Sequence, residues 1–530
     1  MPNDIVQPFS EDFSEYLRDE SRRSGTAASI SFPRTEDEVR QALRAATARG
    51  EAVTIQGART GITGGATPDG GHVLNLSRMN RITGLRHDPQ ADRYLLRVQP
   101  GVLLSEVNAR LADLSFDTDG WSQESVAALS AMRDAGPRMF TPDPTETSAS
   151  IGGMVACNAS GARSFHYGPI RSHVEALRVV LADGRAVTLQ RGAQRAEGRR
   201  FVLRPDEGEA VSGELPAYDA PRVKNAAGYF VQPDMDLLDL FVGMEGTLGV
   251  VTEVELRLLP KPPSMWGLMA FMSDEAAAVM LVRALRGEQV DKGDYTPEPA
   301  PVAIELFNNA ALALLRTQKA TNAAFAEIPE LPESYHTAVY AEFHGPDEDT
   351  VTDAVMAASE AIVALGGDED ATWVADSQRE MERLKFFRHA VPESVNLLID
   401  GRRREHPSLT KLGTDMSVPD RSLSDVLSMY NRDLADTGLE SVIFGHAGDN
   451  HVHVNILPRD EQDYARGKEL YLSWARRVVE LGGSVSAEHG IGKLKTDFLR
   501  VMYGEQGIEQ MRAVKQAFDP GGLLNCGNLF

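Results

Sequence analysis

Three of the chain's twelve histidines crowd into one short stretch, FGHAGDNHVHVNILP at 444–458. If 451–457 runs as a strand, alternation puts His451, His453 and Asn455 on one face and Val452, Val454 and Ile456 on the other. His446 stands just before a Gly448-Asp449 turn, close enough to converge with His453. Further on, SAEHGIGK sets Glu488 beside His489 in a glycine-rich turn. Two imidazoles and a carboxylate suffice for a divalent ion with an open position; zinc suits these ligand types best, and manganese remains admissible. The plainer use of such residues is hydrogen bonding within loops, the commoner fate of a lone histidine. A cluster joined to a Glu-His pair favours the metal.

A second chemistry is written in glycine. QGARTGITGGATP (56–68) places Gly57, Gly61, Gly64 and Gly65 directly after a short apolar strand. Without a Cβ, several backbone N–H groups can converge on one anion, and a diphosphate is the natural guest. The spacing is neither the GxGxxG of a dinucleotide turn nor a P-loop, which needs a lysine. Alone, such a loop is more often an ordinary tight turn. TPDPTETSASIGGMVACNASGARSFHYGPIRSHVEALRVVLADG (141–184) adds a rigid Pro-Asp-Pro turn, the Gly152-Gly153 pair, and small residues at Asn158, Ser160 and Gly161. FVGMEGTLGVVTEVELRL (241–258) is a third glycine turn that feeds a strand. Small-residue loops of this kind suit a long cofactor lying extended against backbone.

Together these three segments resemble the FAD-binding domain of the vanillyl-alcohol-oxidase-type (PCMH-type) flavoproteins, in particular the branch of D-lactate, glycolate and D-2-hydroxyglutarate dehydrogenases. The resemblance runs through nearly the whole chain. It implies FAD, with the pyrophosphate on Arg59, Thr60, Gly61, Ile62, Thr63, Gly64 and Gly65. Pro142, Asp143, Thr145, Gly152, Gly153, Asn158, Ser160 and Gly161 would line the ribityl chain and flavin ring, and the main chain of Val250 and Val251 the adenine side. Arg59 stands where a smaller residue is usual, its guanidinium facing phosphate or solvent. The family's metal pattern is matched by His446, Gly448, Asp449, His453, Asn455, Glu488 and His489, which makes His446, His453 and Glu488 the implied ligands. Asn450 and His451 replace the usual glycine and asparagine, so His451 is a candidate to replace or add to a ligand.

The activity implied is oxidation of a small D-2-hydroxy acid, of D-lactate or D-2-hydroxyglutarate type, to the 2-oxo acid by hydride transfer to flavin N5. The metal would orient the substrate. His489 is the candidate base, since an imidazole near neutral pKa suits that work. Arg388 in LKFFRHAVPES matches the arginine that holds the substrate carboxylate, a task for a bidentate fork; without the resemblance it reads equally as a surface helix arginine. Lys411 in TKLGTDMSVP is a weaker candidate for the same task, because the family's lysine stands nearer its aspartate. The closing VKQAFDPGGLLNCGNLF resembles the family's tail, which returns to the flavin domain, with Cys526 and Asn528 in place of proline and lysine. The competing readings are a non-redox FAD enzyme resembling alkylglycerone-phosphate synthase and a catalytically dead flavin-binding subunit.

The elements that must position these residues follow an α+β pattern. Helices at 36–48 and 102–111 and strands at 52–55, 73–76, 94–98 and 174–181 fill the first part; 115–138 is irregular, and 191–215 reads as an exposed, mobile excursion. Pro260-Lys261-Pro262-Pro263 breaks any element and marks a boundary. Beyond it, strands at 302–306, 337–343, 411–418, 442–446 and 451–457 alternate with helices. The expected architecture is an FAD-binding domain of two subdomains over 1–262, an inserted α+β antiparallel-sheet substrate cap over 263–485, and a segment at 486–530 that returns to the flavin domain. The net charge of -23 argues against nucleic acid and anionic membranes. Two cysteines exclude a disulfide framework and a built-in iron–sulfur cluster. With no signal-peptide pattern and no membrane span, a cytoplasmic enzyme is expected. Lacking an NAD motif, it would use an external electron acceptor (a quinone, a cytochrome or an electron-transfer flavoprotein), with a homodimer allowed.

Overall fold

The computed structural model describes residues 5–290, 293 and 295–530. The first glycine loop leaves the strand Val53–Gln56, which lies at the edge of a four-stranded sheet beside His72–Asn75, Ser29–Ser31 and Gln7–Pro8. The three longer strands run parallel, so a crossover is required, and the helix Glu36–Arg49 supplies it. Thr35 caps this helix by accepting from the Glu38 N–H, three acidic residues occupy its positive end, and Gly50 ends it at φ 62°. Val39, Ala42, Leu43 and Ala46 form its buried stripe.

A second, antiparallel sheet runs Ile82–Asp88, Arg93–Val98, Val250–Pro260, Val174–Val180, Ala186–Gln190. The expected irregular stretch at 115–138 holds a helix, Gln123–Ala135, capped by Ser122. The expected mobile excursion at 191–215 is corrected: Arg200–Leu203 and Val211–Glu214 pair as a hairpin. Its Phe201 is fully buried and stacks on Phe518 of the C-terminal helix Thr496–Phe518, ring centroids 5.4 Å apart. Charge and glycine gave the appearance of a loop; alternate apolar residues fix it.

The chain changes sheets across Lys261-Pro262-Pro263. Ser264–Met272 opens a seven-stranded antiparallel sheet in the order Trp373–Ala375, Ser264–Met272, Thr337–Gly345, Ala303–Phe307, Ser441–His446, His451–Ile456, Leu412–Gly413. Both faces are covered. Leu268, Ile304, Val339 and Val454 pack toward the helices Glu275–Leu285, Glu348–Ala364, Leu423–Thr437 and Glu461–Glu480. Met269, Phe307, Ala338 and Val442 pack toward Asn309–Thr321 and Gln378–Arg402. The expected strand at 411–418 shrinks to Leu412–Gly413. The tail returns to the first sheet: the Val53 N–H donates to Leu523 O at 2.8 Å and the Asn525 N–H to Val53 O at 2.8 Å. Among the described residues no helix is long and apolar enough to cross a membrane.

Candidate active site

Strand register brings the polar residues of the cap together. Glu305 is paired with Tyr340, and His446 with His451. Leu306 opposes Gly445, so the next step along the ladder sets Glu305 beside His446. Glu305, Tyr340, His446 and His451 thus form a row across one face, and Glu342 and His453 are two residues along on the same face. This is the face on which Arg388 lies.

The three imidazoles are held alike. His453 Nδ1 is 2.8 Å from the Thr414 carbonyl, His446 Nδ1 2.9 Å from Glu305 Oε1, and His451 Nε2 3.1 Å from Asp415 Oδ1. Of these contacts the one from His453 has hydrogen-bond geometry; the outer nitrogens of His446 and His451 lie at ion-pair distance from their carboxylates. Each inner nitrogen turns to Glu488: His446 Nε2 at 3.2 Å, His451 Nδ1 at 4.0 Å and His453 Nε2 at 4.0 Å. One ligand atom from each of these four residues lies within 4.8 Å of the others. An imidazole with its outer nitrogen bound to a carboxylate or carbonyl is the usual support of a metal ligand, so the donor set fits a divalent cation. In its place the Lys224 ammonium lies 2.5 Å from Glu488 Oε1 and 3.3 Å from Asp449. Burial works to raise the Glu488 carboxyl, but His446 and Lys224 hold it well below the usual range. Burial likewise opposes charge on His446, yet Glu488 and Glu305 lift it to about 9.

Asp415 is fully buried and fixes the Glu-His pair. Its Oδ1 accepts the Glu488 N–H at 3.1 Å; its Oδ2 accepts the His489 N–H at 3.0 Å, the Ser486 hydroxyl at 2.6 Å and the Lys495 ammonium at 2.7 Å. His489 Nδ1 is 3.4 Å from Asp415 Oδ2, which leaves Nε2 to face outward, and 30 % of the side chain is exposed. Burial pushes this imidazole down to about 4 against the pull of Asp415.

Arg388 Nε donates to Glu305 Oε2, and the guanidinium lies 4.5 Å over the Tyr340 ring. Its η nitrogens donate to nothing among the described residues. Glu305 therefore binds Arg388 with one oxygen and faces His446 with the other. Beside it, Glu342 accepts Arg163 at 2.8 Å, Tyr340 O–H at 2.9 Å and His344 at 2.7 Å. Lys411 is not brought into this cluster; it lies near Arg22, which with burial lowers its pKa.

The glycine segments meet the cluster from the other side. Ser160 Oγ donates to Glu488 Oε1 at 3.3 Å, and the Gly161 carbonyl accepts Lys224 at 3.0 Å. A Cβ on Gly161 would fall on the Asp143 backbone. Asp143 accepts the Arg163 N–H at 3.0 Å, and burial pushes its carboxyl up to about 6 against Arg163 and Arg388. Pro142 is buried next to it, whereas Thr145 is exposed. Gly152 and Gly153 lie in the helix Ile151–Cys157, where Gly152 packs on Pro100; Asn158 ends the helix in the left-handed region at φ 51°. Val250 and Val251 are buried opposite Val180 and Val179. The backbone N–H groups from Arg59 to Gly65 donate to nothing among the described residues, which fits a diphosphate. Arg59 itself turns away from that loop: its guanidinium is 2.9 Å from Glu15 and 4.2 Å over the Tyr16 ring. Behind the loop, Thr63 O accepts the N–H groups of Lys493 and Leu494, at 3.0 and 3.2 Å.

Sequence reasoning missed Glu305, Glu342, Asp415 and Lys224 as members of the site. Glu305 and Glu342 had a signal: each is the single acid in a mostly apolar or aromatic strand, AIELF and TAVYAEFHG.

The chain is similar to known proteins over most of its length. The model of the FAD linked oxidases, C-terminal domain, matches residues 294–529, and that of an FAD binding domain matches 27–145 and 124–190. D-2-hydroxyglutarate dehydrogenase of Xanthomonas citri pv. viticola is 30% identical over 526 residues, 98% of this chain and 93% of that protein. D-lactate dehydrogenase of Anaerostipes hadrus is 28% identical over 484 residues, 90% of this chain and 84% of that one. Among solved structures, an alkyldihydroxyacetonephosphate synthase shares the fold at TM-score 0.63 and 15% identity, covering 99% of this chain and 82% of that one. A relative at this identity across nearly the full length of both chains, with both domain models in order, settles the family: the chain belongs to the FAD-linked oxidases and is an FAD-dependent oxidoreductase.

Proposed function

We propose that the enzyme oxidises a small D-2-hydroxy acid, of the D-lactate or D-2-hydroxyglutarate type, to the 2-oxo acid. The observation that carries this reading is the double contact of Glu305, which joins the Arg388 guanidinium to the histidine cluster a few ångströms from the Ser160–Gly161 loop. A 2-hydroxy acid has a carboxylate and a hydroxyl on adjacent carbons. It needs a cation for the first, a proton acceptor for the second, and a hydride acceptor over its Cα.

Arg388 offers its free η nitrogens to the carboxylate, and Tyr340 and Glu305 keep the guanidinium plane fixed. His446, His453 and Glu488 would hold a divalent cation, zinc by ligand type, and such an ion would lower the pKa of a hydroxyl bound to it. FAD, when bound, would supply a hydride acceptor at flavin N5. His489 takes the hydroxyl proton at Nε2, its Nδ1 side held by Asp415 in the manner of a histidine oriented by a carboxylate. The C–H pair leaves as hydride, the O–H proton goes to imidazole, and a C=O bond forms. Electrons then pass to an external acceptor. Ser160 and Gly161 keep Glu488 and Lys224 in place.

The test is anaerobic bleaching of flavin absorbance by a panel of D- and L-2-hydroxy acids, with an artificial dye as acceptor, before and after chelation. Bleaching by D-hydroxy acids, abolished by chelation and restored by zinc, is expected. No bleaching by any hydroxy acid would refute the dehydrogenase reading and favour the non-redox alternative. Full activity after complete metal removal would refute the metal's part.

A further inference from the structure

We propose that His451 is itself an inner ligand, so that the centre is built of three imidazoles and one carboxylate. The inference rests on the reading above that a divalent cation binds at Glu488. His451 is the most enclosed of the three histidines, with no exposed side-chain surface. Its Nε2 lies 3.1 Å from Asp415 Oδ1 and its Nδ1 4.0 Å from Glu488 Oε1, and neither buried ring nitrogen makes a hydrogen bond among the described residues. Buried polar atoms without a partner are rare in folded proteins, and a bound ion is one thing that accounts for them.

The rings support the same arrangement. His451 lies 4.3 Å from the His453 ring and 5.5 Å from the His446 ring, measured between centroids. Its outer nitrogen has the same kind of acceptor as theirs, a carboxylate in place of the Thr414 carbonyl of His453. A carboxylate behind an imidazole raises its basicity as a ligand. Asp415 also binds the Glu488 and His489 N–H groups, so one side chain orients an imidazole ligand, the carboxylate ligand and the base. Three imidazoles and a carboxylate would supply four donors from the protein, and a substrate oxygen would add to that set. The imidazole-rich set favours zinc or cobalt over magnesium and manganese.

The test uses the holoenzyme loaded with zinc or cobalt(II). X-ray absorption at the metal edge counts imidazole scatterers without any substitution: three are expected, and two would overturn the proposal. His451→Asn is then compared with His453→Asn. Both are expected to lose one imidazole scatterer and to weaken zinc binding at least tenfold in a competitive chelator titration, with cobalt(II) absorption bands shifted in each. A His451→Asn protein that keeps the wild-type scatterer count and cobalt spectrum would show His451 to be a supporting residue only and overturn the proposal. If the wild type takes up no metal at all, the parent reading falls instead.

Discussion

Replacing Asp415 by Asn changes one of two carboxylate oxygens that between them serve five contacts. Oδ1 receives the Glu488 N–H and faces His451 Nε2; Oδ2 receives the His489 N–H, the Ser486 hydroxyl and the Lys495 ammonium. All are donors. The substituted amide would keep one acceptor and turn an NH2 group toward the others, whichever way it flips. In the less costly orientation two contacts are lost, each worth about 1.5–3 kcal/mol to a charged acceptor. Lys495 also loses its buried counter-charge, and breaking such a pair costs about 3–5 kcal/mol. Asp415 is held far below the usual carboxylate range because His489, Lys495 and His451 outweigh burial, so the ionised form is the one at stake. The expected loss is at least about 4 kcal/mol, read as a shift in urea midpoint. Trp266, Trp373 and Trp474 of the cap supply the fluorescence signal. Ser486→Ala, which removes one donor, should cost about 1 kcal/mol. In folded Asp415→Asn protein, flavin content should be unchanged while its reduction by substrate slows. A midpoint shift worth less than about 1 kcal/mol would refute the role of Asp415 as the centre of this network.

Four further outcomes are expected. Arg388→Lys keeps the charge but loses the planar fork, so kcat/KM for hydroxy acids should fall by at least about tenfold, with unchanged flavin content; an unchanged value would remove Arg388 from substrate binding. Lys224→Met leaves the Glu488 carboxylate buried without its ammonium; metal-free protein should lose about 3–5 kcal/mol, and added zinc should restore it in thermal unfolding, whereas no response to zinc would count against a cation at Glu488. Gly161→Ala sets a methyl group against the Asp143 backbone, which should cost about 1–3 kcal/mol and lower the flavin absorbance per protein. His72 is fully buried between the Ser29 and Ser31 hydroxyls, both at 2.8 Å, and burial lowers its pKa from 6.5 to about 4. The unfolded chain takes up that proton first. Stability should therefore fall as pH drops from 6.5 to 4, by about 3 kcal/mol, and level off below; a His72→Gln protein with the same pH dependence would contradict this.

What could be read from the sequence depended on the range of the forces involved. The glycine segments and the Glu-His pair were legible because local conformation demands their residue types. Alternation placed His451 and His453 on one face, and the sheet keeps them there. Glu305 was hidden because its meaning lies in register: it becomes a partner of His446 only once Ala303–Phe307 lies beside Ser441–His446. Asp415 was noticed only as a neighbour of Lys411, in a supposed strand from 411 to 418. That strand ends at Gly413, and the residues beyond it bend to meet Ser484 and Ala487 by backbone bonds. Gly152 and Gly161 are required where backbone or proline ring packs against them, and this says nothing by itself about a flavin.

The turn at 486–492 shows why residues so distant in sequence are needed at one place. It lies in no helix or strand, so its buried N–H groups have no ladder to join, and each must find an acceptor or pay a desolvation cost. Two carboxylates supply the acceptors in adjacent pairs. Asp415 of the cap takes the N–H groups of Glu488 and His489; Glu245 of the flavin domain takes those of Ile491 and Gly492, both at 2.7 Å. Gly490 at φ 71° and Gly492 at φ 52° let the backbone come this close, one against the Glu245 carboxylate and the other against the Thr63 carbonyl. The same Glu245 backbone carbonyl accepts the side-chain amides of Asn525 and Asn528. One short turn is thus clamped by both domains and by the tail. The position of His489 beside the first glycine loop is set by both clamps, and a substitution at Glu245, far from His489 in sequence, should displace that imidazole as surely as one at Asp415.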